Sequence, residues 1–234
     1  MNTDSAKRFC NDNMEKYLQK IEFALVLAFL VLPPIFFQAG MEAPKTATPS
    51  FSAQTYALAL LAFFIYYIHR NVYIIRFQKK WTKMQVFIAS GECLVCFGSL
   101  CVVSVLLELA GYLLGESGEI QKAALPHSLN SWVVFISGMV CAAFYEEVVY
   151  RFYLPEAMRH LFSRFPKIPQ LALEAVAVAL FALGHIYLGA LGFLNAAICG
   201  TILRLFVWRT HSLWCSLIPH ALYNFCVYFA LANI

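Results

Sequence analysis

Charge is what this sequence has least of. Only 13% of its residues are Asp, Glu, Lys or Arg, 61% are apolar, and the mean hydropathy is +0.68. Soluble domains carry about 25% charged residues, so a soluble globular protein is excluded and a polytopic membrane protein is implied. Internal repeats, low-complexity tracts and Gly/Ser linkers are also missing, which predicts one integral membrane domain over residues 1–234. There is no HExxH, and no second CxxC to complete a zinc site with the Cys93–Cys96 pair. Most of the eight cysteines lie within the spans and read there as small hydrophobes. The stretch "VLPPIFFQAG" lacks a small-x-small cleavage site, so the first apolar run is expected to remain as a span rather than leave as a signal peptide.

What is abundant is long apolar runs. Seven occur, at roughly 21–37, 51–69, 84–114, 131–153, 170–188, 190–208 and 213–232. About 20 helical residues at 1.5 Å each cross the ~30 Å hydrocarbon layer. The fold class expected is thus all-α, a membrane bundle of about seven transmembrane helices. Residues 154–169, "LPEAMRHLFSRFPKIP", read as a basic amphipathic helix on the membrane surface, ending at Pro166 and Pro169.

The net charge of +4 does not point to nucleic acid, because the basic residues sit in short gaps between apolar runs. Alternate gaps hold 15 of the 17 Lys and Arg residues, with only Lys45 and Lys122 on the other side. Positive residues stay in the cytosol, so a cytosolic N-terminus is predicted, in what reads as a bacterial inner membrane.

An ionised side chain at the bilayer centre costs at least ~2.5 kcal/mol, so intramembrane ionisable groups are functional candidates by default. Three places hold them. Glu146, Glu147 and Arg151 end an uncharged run from Trp132 to Phe144. His185 closes "FALGH", and His220 and Asn224 lie four apart, on one helical face. Each has a purely structural reading: an i,i+4 ion pair, an interfacial histidine, a helix–helix hydrogen-bond pair. Together they give three spans side chains suited to acid–base chemistry.

The motifs "EEVVYR" (146–151), "FALGH" (181–185) and "HALYN" (220–224) resemble, in order and spacing, those of the CPBP family, the CAAX proteases and bacteriocin-processing enzymes also called Abi. The stretch "GTILRLFVWRTHSLWCSLIPHALYNF" (200–225) is similar as well. The resemblance covers about 131–234 as a catalytic core and leaves 1–130 as variable N-terminal helices. It implies a glutamate-dependent intramembrane endopeptidase acting on a membrane-anchored protein or peptide. Glu146 would activate water with help from His185, His220 and Asn224 would bind the oxyanion, and Glu147 and Arg151 would orient the site. Glu146, His185 and His220 could instead hold zinc, although the expectation is a metal-free reaction. The rival class is a non-catalytic scaffold or a proton-coupled transporter using the same polar residues; a transporter would be expected to show inverted repeats or Gly/Pro-broken helices.

One spacing problem follows. If the fourth span ends near Tyr153, Glu146 lies ~10 Å inside the boundary, while His185, some fifteen residues into the fifth span, lies ~22 Å deep. The motifs meet only if the fourth helix runs on through "RFYLPEAMRHLF" or the fifth begins outside the membrane.

Overall fold

A computed structural model describes residues 3–38, 46–47, 53–75, 77, 82–115, 122–163, 165 and 168–232. Among these, helix dominates. The only extended pairing is a two-residue parallel ladder between β1 (Thr46–Ala47) and β2 (Lys122–Ala123). Helix α1 (Thr3–Val26) passes through a wide turn at Leu27–Val31 into α2 (Leu32–Gln38). Then come α3 (Ala53–His69), α4 (Lys83–Leu114) and α5 (Leu129–Glu146). A second wide turn, Glu147–Tyr153, joins α5 to α6 (Leu154–Leu161). The chain closes with α7 (Gln170–Leu183), α8 (Gly189–Thr210) and α9 (Trp214–Ala232). Five segments are long and apolar enough to cross a membrane: 16–36, 83–114, 129–161, 186–210 and 214–232. Ala53–His69 and Gln170–Leu183 are shorter apolar helices. The expected helical membrane bundle is thus the observed one.

Local chemistry sets the ends. Thr82 caps α4, its hydroxyl accepting from the Gln85 amide at 3.2 Å while the Gln85 side chain accepts from the Thr82 amide at 2.9 Å. Ser128 and Ser131 exchange the same pair of bonds ahead of α5. Gly115, at φ 72°, ends α4 in the left-handed conformation that glycine adopts without penalty. Side chains such as Phe87, Leu94 and Leu171 stay exposed on the outside, as a lipid-facing surface requires. Inside, α4 packs along α8 and α9, α3 along α5, and α7 along α8.

Two expectations need correction. Residues 154–169 are not a separate surface helix. The fourth span runs on without interruption to Leu161, and Leu154, Pro155, Glu156, Ala157 and Met158 are buried. The wide turn makes this continuity possible. Pro155 has no N–H to give the Arg151 carbonyl and would crowd it in a regular helix; at this point the Leu154 amide reaches back five residues, to the Val149 carbonyl. The freed Arg151 carbonyl instead accepts from Arg204 Nη1 at 2.7 Å. The second correction is His185, expected within a helix. It lies in a break where α7 ends at Leu183 and the chain turns through Ile186–Leu188 and Gly189, at φ 81°. Such a break is tolerated at membrane depth only where protein or a cavity surrounds it.

The extended fourth helix resolves the spacing problem. Fifteen residues separate Glu146 from Leu161, and fifteen separate Gln170 from His185, so at 1.5 Å per residue each lies roughly 22 Å from its helix end.

Candidate active site

Four of the six sequence-derived candidates, Glu146, His185, His220 and Asn224, line one cavity of about 340 Å³. A second cavity, of about 190 Å³, shares Ala142, Glu146, Phe181, His185 and Tyr187 with the first. Glu146 and His185 therefore sit where two cavities adjoin.

Glu147 and Arg151 stand behind this wall. Glu147 is 0% exposed and Arg151 2%. The Glu147 carboxylate accepts from His220 Nδ1 at 2.7 Å and lies 3.6 Å from Arg151 Nε. The Arg151 guanidinium caps the Phe181 ring, 3.9 Å from its centre, a cation–π contact that partly replaces lost hydration. The other ring nitrogen of His220, Nε2, is 3.4 Å from Glu146 Oε2. One imidazole thus bridges the two adjacent glutamates, possible because their side chains leave the helix about 100° apart.

His185 gives its Nδ1 proton to the Phe181 carbonyl at 2.9 Å. A carbonyl can only accept, so in the neutral ring the proton sits on Nδ1 and Nε2 keeps its lone pair. Asn224, one turn beyond His220, makes no hydrogen bond among the described residues and so retains its side-chain donors. Four buried polar atoms at the centre have no hydrogen-bond partner: Glu146 Oε2, Glu147 Oε2, and Arg151 Nη1 and Nη2.

As placed, Glu146, His185 and His220 do not form a ligand set. Nδ1 of His220 is held by Glu147 and Nδ1 of His185 by the Phe181 carbonyl, and His220 Nε2 faces Glu146 at 3.4 Å. Among the described residues no three of His, Cys, Asp and Glu gather closely enough to hold a metal ion.

Several residues that build the site carry no signal in the motifs. Gly200 of α8 faces the Phe181 ring and Arg151; a Cβ there would come within 2.9 Å of the ring. Arg204, which sequence alone reads as a loop cation, is 5% exposed and binds Glu174 through Nε at 2.5 Å and Nη2 at 2.7 Å. Arg159 adds bonds to Glu174 at 3.0 Å and to Glu156 at 2.8 Å. The one available clue was spacing: Arg204 lies four residues after Gly200, hence on the same face.

Neither the curated proteins nor the solved structures contain a match to the chain. A family model does match, that of the type II CAAX prenyl endopeptidase Rce1-like proteins, over residues 128–226, a span that holds all six candidates. Residues 128–226 of this integral membrane protein are thus similar to the Rce1-like proteins, a CPBP-type family of peptide-bond hydrolases that act on membrane-associated proteins.

Proposed function

We propose that the chain cleaves a peptide bond in a membrane-anchored protein or peptide, with water activated by Glu146 and no resident metal. The observation that carries this reading is the shared cavity wall of Glu146, His185, His220 and Asn224. A water between the Glu146 carboxylate and His185 Nε2 has an acceptor on each side, so its proton passes to Glu146 as its oxygen attacks the carbonyl carbon. The carbonyl oxygen gains negative charge and takes hydrogen bonds from Asn224 Nδ2 and from Nε2–H of a doubly protonated His220. Glu147 keeps His220 in register by accepting from Nδ1, and Arg151 balances the Glu147 charge. The proton on Glu146 then goes to the departing amine, which completes hydrolysis with Glu146 restored.

On this reading the N-terminus faces the cytosol, and residues 131–234 work as the core of a single domain. The deciding experiment is cleavage of a prenylated reporter peptide by purified full-length protein and by Glu146→Gln, which keeps shape but loses proton acceptance. Retained cleavage by the variant would remove Glu146 from the mechanism. Absence of cleavage by the parent on every prenylated or membrane-anchored reporter would favour a scaffold, or a transporter using the broken α7–α8 junction.

A further inference from the structure

The N-terminal helix has no part in the family motifs, yet it touches the site at two points. Pro34 lines the smaller cavity beside Glu146, Gly184 and His185, and lies 3.8 Å from where a Cβ on Gly184 would stand. Tyr145, the residue before Glu146, is 7% exposed and donates its hydroxyl to the backbone carbonyl of Leu30.

Leu30 and Pro34 are four apart. In a regular helix the amide of residue 34 would bond the carbonyl of residue 30, but proline has no N–H to give. The wide turn at Leu27–Val31, where the Leu32 amide reaches the Leu27 carbonyl, lies just before. Buried carbonyls demand a donor, and Tyr145 brings one from a helix 115 residues away. The same device recurs at the second wide turn, where Pro155 frees the Arg151 carbonyl and Arg204 supplies the bond.

We propose that the Leu30 carbonyl, freed by Pro34, latches the Tyr145 hydroxyl, and that Tyr145 is thereby a positioning residue for Glu146. The mechanical reason is local. Glu146 ends the regular part of α5, and the backbone widens immediately after it. A wide turn leaves the rotation of the preceding residues less constrained than a regular helix does. Anchoring the Tyr145 ring to a neighbouring helix fixes that rotation one residue before the carboxylate. The catalytic part of the inference rests on the role proposed for Glu146; the latch itself does not.

Proline's missing donor gives the test. Pro34→Ala restores an amide that competes for the Leu30 carbonyl, so it should release Tyr145 much as Tyr145→Phe does. Thermal unfolding of purified full-length protein needs no substrate. Tyr145→Phe should lower the midpoint by about 2–4 °C, one hydrogen bond's worth, in the parent and by clearly less in Pro34→Ala, where only the contact of the hydroxyl with Tyr150 remains to be lost. Equal losses in both backgrounds would overturn the latch. With a quenched-fluorescence peptide bearing a farnesylated cysteine, each single variant should lose roughly tenfold in kcat with KM within about twofold, and the double should be no slower than either. Coupled midpoints with unchanged kcat, or a change confined to KM, would overturn the positioning role. An active Glu146→Gln with coupled midpoints would leave the latch standing and remove the catalytic reading.

Discussion

Two charge clusters share the fourth helix, which gives Glu146, Glu147 and Arg151 to one and Glu156 and Arg159 to the other, and they are built on opposite rules. Around Glu174, Arg204 and Arg159, the carboxylate and both guanidinium groups find partners at 2.5–3.0 Å, and Glu156 closes the chain of bonds. Around Glu146, Glu147, Arg151 and His220 the packing is tighter, yet four polar atoms lack a hydrogen-bond partner. Buried groups in native proteins are almost always satisfied, so unsatisfied ones call for an explanation. The first cluster is a clamp: it holds α6, α7 and α8 together and offers nothing to a ligand. The second leaves bonding capacity beside two adjoining cavities, at a cost in stability that a purely structural pair would not carry. On the function proposed above, the difference separates support from chemistry.

The largest effect should come from cutting the second cluster. Glu146→Gln should abolish turnover while leaving the unfolding midpoint within a degree or two of the parent. His185→Ala should be comparably damaging. A variant that loses activity only because it no longer folds would erase the contrast, so the midpoint must be measured beside kcat. Asn224→Ala comes next, with kcat down by the ~10²–10³-fold typical of one oxyanion donor and KM little changed. A loss expressed mainly in KM would make Asn224 a binding residue instead.

Breaking the clamp should reverse the pattern. Arg204→Met keeps volume but leaves the Arg151 carbonyl without its donor and Glu174 with Arg159 alone, which costs about 3 kcal/mol of stability. Folded yield and the unfolding midpoint should fall, while kcat per folded molecule changes less than about tenfold. A variant of normal stability would show that the clamp is dispensable. Gly200→Ala touches the boundary between the clusters, because the added methyl meets the Phe181 ring that carries Arg151. Overpacking of this kind costs about 1–3 kcal/mol, and both midpoint and kcat should drop modestly.

Which of these features could be read from the sequence follows the range of the physics involved. The spans were legible because desolvation acts residue by residue, and the edges of α4 and α9 fall within a residue of the apolar runs. The i,i+4 relations of Glu147 to Arg151 and His220 to Asn224 were legible because helical periodicity is local. The continuity of the fourth helix was not. Pro155 argues for a stop unless a wide turn and a donor 53 residues away are both supplied, and Arg204 supplies that donor. Arg204 counts in the sequence among the basic residues of the gaps, because its partners Glu174 and the Arg151 carbonyl are 30 and 53 residues away. His185 was read as helical because the break after Leu183 is marked only by two glycines in an apolar run.

The smallest expected effect is none at all, and it bears on what kind of chemistry the second cluster performs. A catalytic zinc needs three protein donors converging with free lone pairs, at ~2.0–2.2 Å. His220 could ligate through Nε2 with Nδ1–H still bonded to Glu147 at 2.7 Å, but Nε2 now lies 3.4 Å from Glu146 Oε2 and would have to leave that contact. His185 could offer Nε2, since Nδ1 is held by the Phe181 carbonyl, the arrangement that would also suit it as an acceptor for water. The three donors therefore have lone pairs to offer but do not converge as placed, among the described residues. Incubating purified full-length protein with a strong chelator, followed by its removal, should leave kcat and KM unchanged, and added zinc should not raise them. Loss of activity restored by zinc would mean that His220 turns to the metal in the working enzyme. In that event Glu147→Gln, which weakens the hold on His220, should alter zinc affinity rather than the rate at saturating zinc.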